Sequence, residues 1–201
     1  MSPAPIPASL RTVVARVASL NLAYFGVEIA VALAIGSVAL LADSLDFLED
    51  AAINLLIFAG LGWSVRNRAR LGTVLALVLL VPGIGAAWAA WDKIHDFVAP
   101  APLPLTATGL GALAVNLTCA LMLARHRDGS GSLTRAAYLS ARNDVAANIA
   151  IVVAGLATAA TRSPWPDLAV GLGIAGLNAD SAFDILKAAR REWRAAREAE
   201  A

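Results

Sequence analysis

The chain reads as an all-α membrane protein of six transmembrane helices, and three observations carry that reading. It is 59% hydrophobic and 15% charged over 201 residues, whereas a soluble domain is about 45–50% apolar and about 25% charged. Its apolar stretches are long enough to cross a bilayer, which takes roughly 20 residues each. Between them lie short segments rich in Gly, Pro, Ser or Arg, which mark turns and loops. Six spans use up the chain. The expected organisation is an N-terminal tail over residues 1–10, a six-helix transmembrane domain over 11–190 and a charged tail over 191–201.

The first span covers residues 11–34. Its lead-in, with prolines at 3, 5 and 7 and then Arg11 and Arg16, imitates a secretory signal. Asn21 and Glu28 interrupt the apolar run and no convincing cleavage site follows, so the segment is expected to stay as a span. Ile35, Gly36 and Ser37 form a tight turn into span 2, residues 38–63. Ser64 to Arg70 is polar and basic, hence a loop. Span 3 runs to residue 91, with a kink expected at Pro82, Gly83 and Gly85. Trp88 and Trp91 mark its exit into the interface, where Trp is favoured. Asp92, Lys93, His95 and Asp96 follow as an exposed interfacial cluster. The prolines of 99–104 make a connector that cannot continue a helix. Span 4 covers 105–124, and Arg125 to Ser132 is a flexible loop. Span 5 covers 133–161, and Arg162 to Pro166 turns the chain. Span 6 covers 167–186, and Lys187 to Ala201 is the tail.

Charge sets the orientation. One side collects Arg11, Arg16, Arg66, Arg68, Arg70, Arg125, Arg127, Arg135 and the basic residues of the tail; the other holds only Lys93 and Arg162. The positive-inside rule therefore puts both termini in the cytoplasm. The same distribution excludes nucleic acid as a partner, because the basic residues sit at helix ends and form no stripe. Cys119 is the only cysteine, which excludes an intrachain disulfide and a cysteine-based metal site. No nucleotide motif, nucleophile triad or catalytic zinc signature is present, so the chain does not read as an enzyme.

Span 2 carries Asp43, Asp46, Glu49 and Asp50 inside an apolar segment. Each carboxylate at membrane depth costs roughly 2.5–3.5 kcal/mol on insertion scales, so such groups persist where they pair, bind an ion or face water. Asp46 and Asp50 are spaced i, i+4 and stack on one helix face about 6 Å apart. In span 5, Ser140, Asp144 and Asn148 are also spaced by four, with Asn143 adjacent. Span 2 enters from outside and span 5 from the cytoplasm. Asp46 and Asp50 then lie roughly 12–18 Å deep and Asp144 roughly 16 Å deep, at about 1.5 Å per residue. The two polar faces meet near the middle of a core about 30 Å thick. Salt bridges inside a bundle, and Asn and Ser serving as helix–helix glue, are the competing structural readings.

Four further groups count as accessory or proton-coupling candidates: Asp43, one turn before the pair, together with Glu28, Glu49 and Arg142. Glu49 lies about 60° off the acidic face. It is a candidate partner for Arg142, the alternative being that Arg142 snorkels to the interface. Near the end of span 6, Asp184 is expected to pair with Lys187, and Asn178 and Asp180 to be solvated there, rather than to build a second metal site.

Six spans, cytoplasmic termini, Gly36 and Ser37 ahead of Leu41, Ala42, Asp43 and Ser44, and paired acidic motifs resemble the cation diffusion facilitator family. Asn21, Tyr24, Glu28 and the Trp165, Pro166, Asp167 entry to span 6 extend the likeness. Family members carry His/Asp-x-x-x-Asp on the second and fifth spans, and those side chains bind the transported divalent metal. The resemblance implies ligand roles for Asp46 and Asp50 as the first pair and for Asp144 as the last residue of the second. The remaining position is Ser140, so Asn143, Asn148 or water is a candidate replacement ligand. The family's cytoplasmic C-terminal domain, which clamps a dimer in many members, is not expected here. The chain resembles a compact transmembrane-only branch, with a homodimer left open. His126 stands alone where some members have a histidine-rich loop.

The expected function is a secondary transporter exporting divalent transition metal from the cytoplasm in exchange for protons. Bound metal and protons compete for the same carboxylate oxygens, which gives exchange without a nucleotide. The resemblance implies zinc, cadmium or cobalt. Oxygen and amide ligands suit manganese or ferrous iron; zinc is placed first. No permanently bound cofactor is expected, and the location is a multi-pass protein of a bacterial inner membrane. Two alternatives are a proton-coupled transporter of a small organic cation, held by Tyr24, Phe25 and Phe47, and a non-transporting membrane metal sensor or assembly subunit.

Overall fold

The computed structural model describes residues 8–59, 74, 84–85, 87–95, 97–125 and 132–177. Every regular element among them is helical: α1 Ala8–Ile35, α2 Val38–Ala59, α3 over residues 87–95, α4 Pro102–Ala124, α5 Ser132–Thr161 and α6 Trp165–Leu177. This is the all-α bundle expected. Most of span 3 with its Pro82 and Gly83 kink, the loop over 64–70, Asp96, His126 and everything after residue 177 lie outside the described residues. The Asp184 and Lys187 pairing, with Asn178 and Asp180, falls there too.

Leu10–Ile35, Pro102–Ala124 and Ser140–Thr161 are long and apolar enough to cross a membrane. Helix α2, at 22 residues, is as long as the last of these. Its four acids exclude it from that class, and they are the same residues that make it interesting.

Two boundaries differ from expectation, for one reason. The prolines at 102 and 104 are not a connector but the first turn of α4, with Ala101 as its N-cap in an extended conformation. Pro166 likewise falls in the first turn of α6. The first N–H groups of a helix have no intrahelical acceptor, so proline loses nothing there and its fixed φ suits the helix.

The α1–α2 turn follows directly from Gly36 and Ser37. Gly36 sits at φ +64°, a left-handed conformation that glycine adopts without penalty. The Ser37 N–H reaches back to the Ala32 carbonyl at 3.0 Å, which closes α1. Ser37 Oγ then accepts from the Leu40 N–H at 3.1 Å, capping α2.

The bundle has two apolar ends and a polar interior. Leu10, Val14 and Val17 from the start of α1 pack with Cys119 and Leu123 from the end of α4 and Ala141 from α5. At the other end, Ala32, Leu40, Leu105, Ile151 and Ile174 form a second cluster. The outer surface presents Leu33, Leu110, Leu121, Val153 and Leu156, which suits a lipid environment. Glycine permits the closest helix approaches. A Cβ at Gly171 of α6 would stand 2.7 Å from the Ala39 nitrogen, and one at Gly109 of α4 would stand 2.9 Å from Ile151 Cγ2. Small residues at such contacts let transmembrane backbones pack by van der Waals contact where no hydrophobic drive exists.

Candidate cation site

Between the two apolar ends lie Asn21, Glu28, Asp43, Ser44, Asp50, Asn54, Asn116 and Asn148, all buried. Helices α2 and α5 organise them by antiparallel register. Asp43 and Asp50 are about 10 Å apart along α2, and Ser140 and Asn148 about 12 Å apart along α5, at about 1.5 Å per residue. The helices run past each other so that Ser140 meets Asp50 and Asn148 meets Asp43. The i, i+4, i+8 face read from α5 is real, but it serves two separate carboxylates.

The inner group centres on Asp50, which is 3% exposed. Its Oδ1 accepts from Ser140 Oγ at 3.0 Å and its Oδ2 from Asn21 Nδ2 at 3.3 Å. Asp144 reaches across from α5 to within hydrogen-bonding contact of Asp50. Two carboxyl groups in such contact need a proton or a cation between them. Asp46 is half-buried, with Asp144 of α5 near it and Asp43, Glu49 and Asp50 on its own helix. Behind Asp50, Asn54 Nδ2 donates to the Asp50 carbonyl at 2.8 Å, and Cys119 Sγ donates to Asn21 Oδ1 at 3.5 Å. Asn21 therefore orients Asp50 from a third helix. In the sequence it stood out as a polar interruption of span 1 and as part of the family resemblance, without a role at Asp50.

The second group lies about two turns toward the α1–α2 turn. Asn148 Nδ2 donates to Asp43 Oδ2 at 2.6 Å, and Asn148 Oδ1 accepts from Asn116 Nδ2 at 3.0 Å. Both ends of the Asn148 amide are thus committed. Glu28, fully buried, lies against Asp43. Neither oxygen of Glu28, nor Asp43 Oδ1, meets an N–H or hydroxyl donor among the described residues. This second carboxyl contact again calls for a proton or cation. A charge of this density in a low-dielectric interior cannot stand uncompensated.

Some expected members are elsewhere. Asn143 is exposed, turned away from Asp50 and Asp144. Arg142 is exposed too and makes no ion pair with Glu49; its long side chain satisfies its charge at the surface instead. The site therefore contains no cationic side chain among the described residues. No three His, Cys, Asp or Glu side chains there converge closely enough to hold a metal ion as they stand. Hydrogen bonds from Ser140 and Asn21 take one acceptor site on each Asp50 oxygen, so a metal would bind at the remaining lone pairs.

The largest surprise is Lys93. It is not part of an exposed cluster with Asp92 and His95, which are indeed exposed. Its ammonium is buried and pairs with Asp167 at 2.9 Å, with side chains 7% and 0% exposed, and also donates to the Gly36 carbonyl. Asp167 Oδ1 accepts from Ser37 Oγ at 2.6 Å and from the Ala39 N–H at 3.2 Å; Oδ2 accepts from the Val38 N–H at 3.0 Å. One carboxylate thus binds the N-terminus of α2, where the helix dipole favours an anion, and ties it to α3 and α6.

Residues 14–192 match the family model described as the cation efflux transmembrane domain, nearly the whole chain. No curated relative matches it significantly.

Proposed function

Because the chain belongs to the cation efflux family, whose members are membrane transporters of cations, we propose that it exports a divalent transition metal from the cytoplasm in exchange for protons. Zinc, cadmium or cobalt is the cargo placed first. The observation that carries this reading is the pair of carboxyl contacts, Asp50 with Asp144 and Glu28 with Asp43, in a site with no cationic side chain among the described residues. Such pairs hold protons when metal is away and release them when metal binds, because metal requires the deprotonated oxygens. Asp46, Asp50 and Asp144 are the proposed ligands, with Ser140 or water completing the set. Glu28 and Asp43 are the proposed proton-carrying pair. The charge asymmetry between the Arg11, Arg16 and Arg125 end and the Lys93 and Arg162 end supports cytoplasmic termini, and the proposed location is a bacterial inner membrane.

The test is flux into inverted vesicles under an imposed pH gradient. Zinc uptake should follow the gradient and release protons; flux that ignores the gradient, with no proton counter-movement, defeats the exchange reading and favours a channel. The organic-cation alternative is disfavoured by the aromatic residues themselves. Tyr24 donates to the Thr108 carbonyl at 2.6 Å and packs on Phe47 with ring centroids 5.0 Å apart, and Phe47 is 1% exposed. Phe47 therefore offers no open face to a cation, which leaves only the half-buried Tyr24 and Phe25 of the three candidate rings.

Ser140 offers a hydroxyl where an imidazole would favour zinc over manganese. Ser140→His is expected to tighten zinc binding and shift zinc–manganese competition toward zinc, read on purified protein. Ser140→Ala is expected to weaken metal binding far less than loss of Asp144. Equal losses would make Ser140 an indispensable ligand.

A further inference from the structure

A cavity of about 770 Å³ opens between α1 and the C-terminal ends of α2 and α4, lined by Arg11, Arg16, Ser19 and Leu20 with Phe58 and Met122 opposite. We propose that this groove seats one anionic phospholipid of the cytoplasmic leaflet, its phosphate on Arg11 and Arg16 and an acyl chain along Leu20, Phe58 and Met122. The leaflet assignment rests on the orientation given above.

Three features of the groove select this occupant. First, its charge has no ion-pair partner among the described residues, and the first turn of α1 carries no acid. Arg11 lies 4.6 Å over the centroid of the Phe58 ring. A ring face steadies the guanidinium while leaving its in-plane N–H donors to form a fork suited to phosphate. Second, its length matches one leaflet. From Arg11 to Leu20 the groove follows α1 for about 13 Å at about 1.5 Å per residue, close to half of a hydrocarbon core about 30 Å thick. Basic at the mouth and apolar below, it repeats the order of headgroup and chain. Third, a second copy of this chain is a poor occupant. A two-fold interface sets each patch against itself, which would bring the arginines of the two copies together.

The experiment is native mass spectrometry of delipidated, detergent-purified protein given dioleoyl phosphatidylglycerol, dioleoyl phosphatidylcholine or inorganic phosphate. One phosphatidylglycerol should bind per chain, more tightly than phosphatidylcholine and without displacement by inorganic phosphate. The double variant Arg11→Gln/Arg16→Gln should bind it about 30-fold more weakly, from about 1 kcal/mol per basic residue. Arg125→Gln, an exposed arginine outside the groove, should bind it normally. Equal phosphatidylcholine binding, unchanged binding by the double variant, or full competition by inorganic phosphate overturns the proposal, as does a stable dimer that excludes the lipid. The readout contains no transport step, so failed zinc flux leaves it untouched.

Discussion

Asp50→Ala is expected to abolish metal flux. Asp50 is where three helices converge, since Ser140 of α5 and Asn21 of α1 donate to it and Asp144 touches it. Removing a residue that merely orients a metal ligand lowers affinity about 10–100-fold, so loss of a carboxylate ligand should cost at least that. Asp46→Ala and Asp144→Ala are expected to behave alike. Failed insertion is not a competing explanation, because deleting a carboxylate at membrane depth relieves roughly 2.5–3.5 kcal/mol of insertion penalty. Asp50→Asn separates charge from shape: it keeps the hydrogen-bonding volume but cannot supply an anionic oxygen, and it should be inactive while folding normally. The measurement is zinc flux in proteoliposomes with protein amount matched by quantitative blot. Persistent flux with Asp50→Ala would remove this site from the transport path.

Asp167→Ala is expected to give the largest loss of stability. The carboxylate holds a buried ammonium and three donors of the α1–α2 turn at once. Breaking a buried pair by removing one partner costs about 3–5 kcal/mol, because the other charge stays buried and alone. Thermal unfolding in detergent should show a much lower midpoint or loss of the monodisperse protein. The double change Lys93→Met/Asp167→Asn should be milder than Asp167→Ala, since it leaves no orphaned charge and an amide oxygen can still accept from the turn. An Asp167→Ala protein as stable as the parent would show that the pair does not hold these helices together.

The contrast between these two sites shows what was legible in the sequence. Asp46, Asp50 and Asp144 stand out because carboxylates within long apolar runs violate the simplest rule of membrane helices. The α1–α2 turn was legible because Gly36 and Ser37 carry local chemistry. Lys93 and Asp167 were not, being 74 residues apart, and Lys93 stands beside Asp92 and His95, which are exposed. The available signal was topological: with alternating spans, the end of α3, the α1–α2 turn and the start of α6 share one end of the bundle. Asn148 shows a different limit. Spacing by four places it on the face of Asp144, but a face does not fix the register between helices, and register gave it to Asp43. Proline at 102 was misread because its effect depends on position within a helix.

Cys119 gives the molecule a built-in reporter. The chain has one thiol, fully buried on α4 and in contact with Asn21, itself a donor to Asp50. A buried thiol meets an alkylating reagent only when the helices around it part. The rate at which the unmodified protein takes up such a label therefore times the opening of the α1–α4 seam at the depth of the acidic site, with no engineered probe and no background from another cysteine.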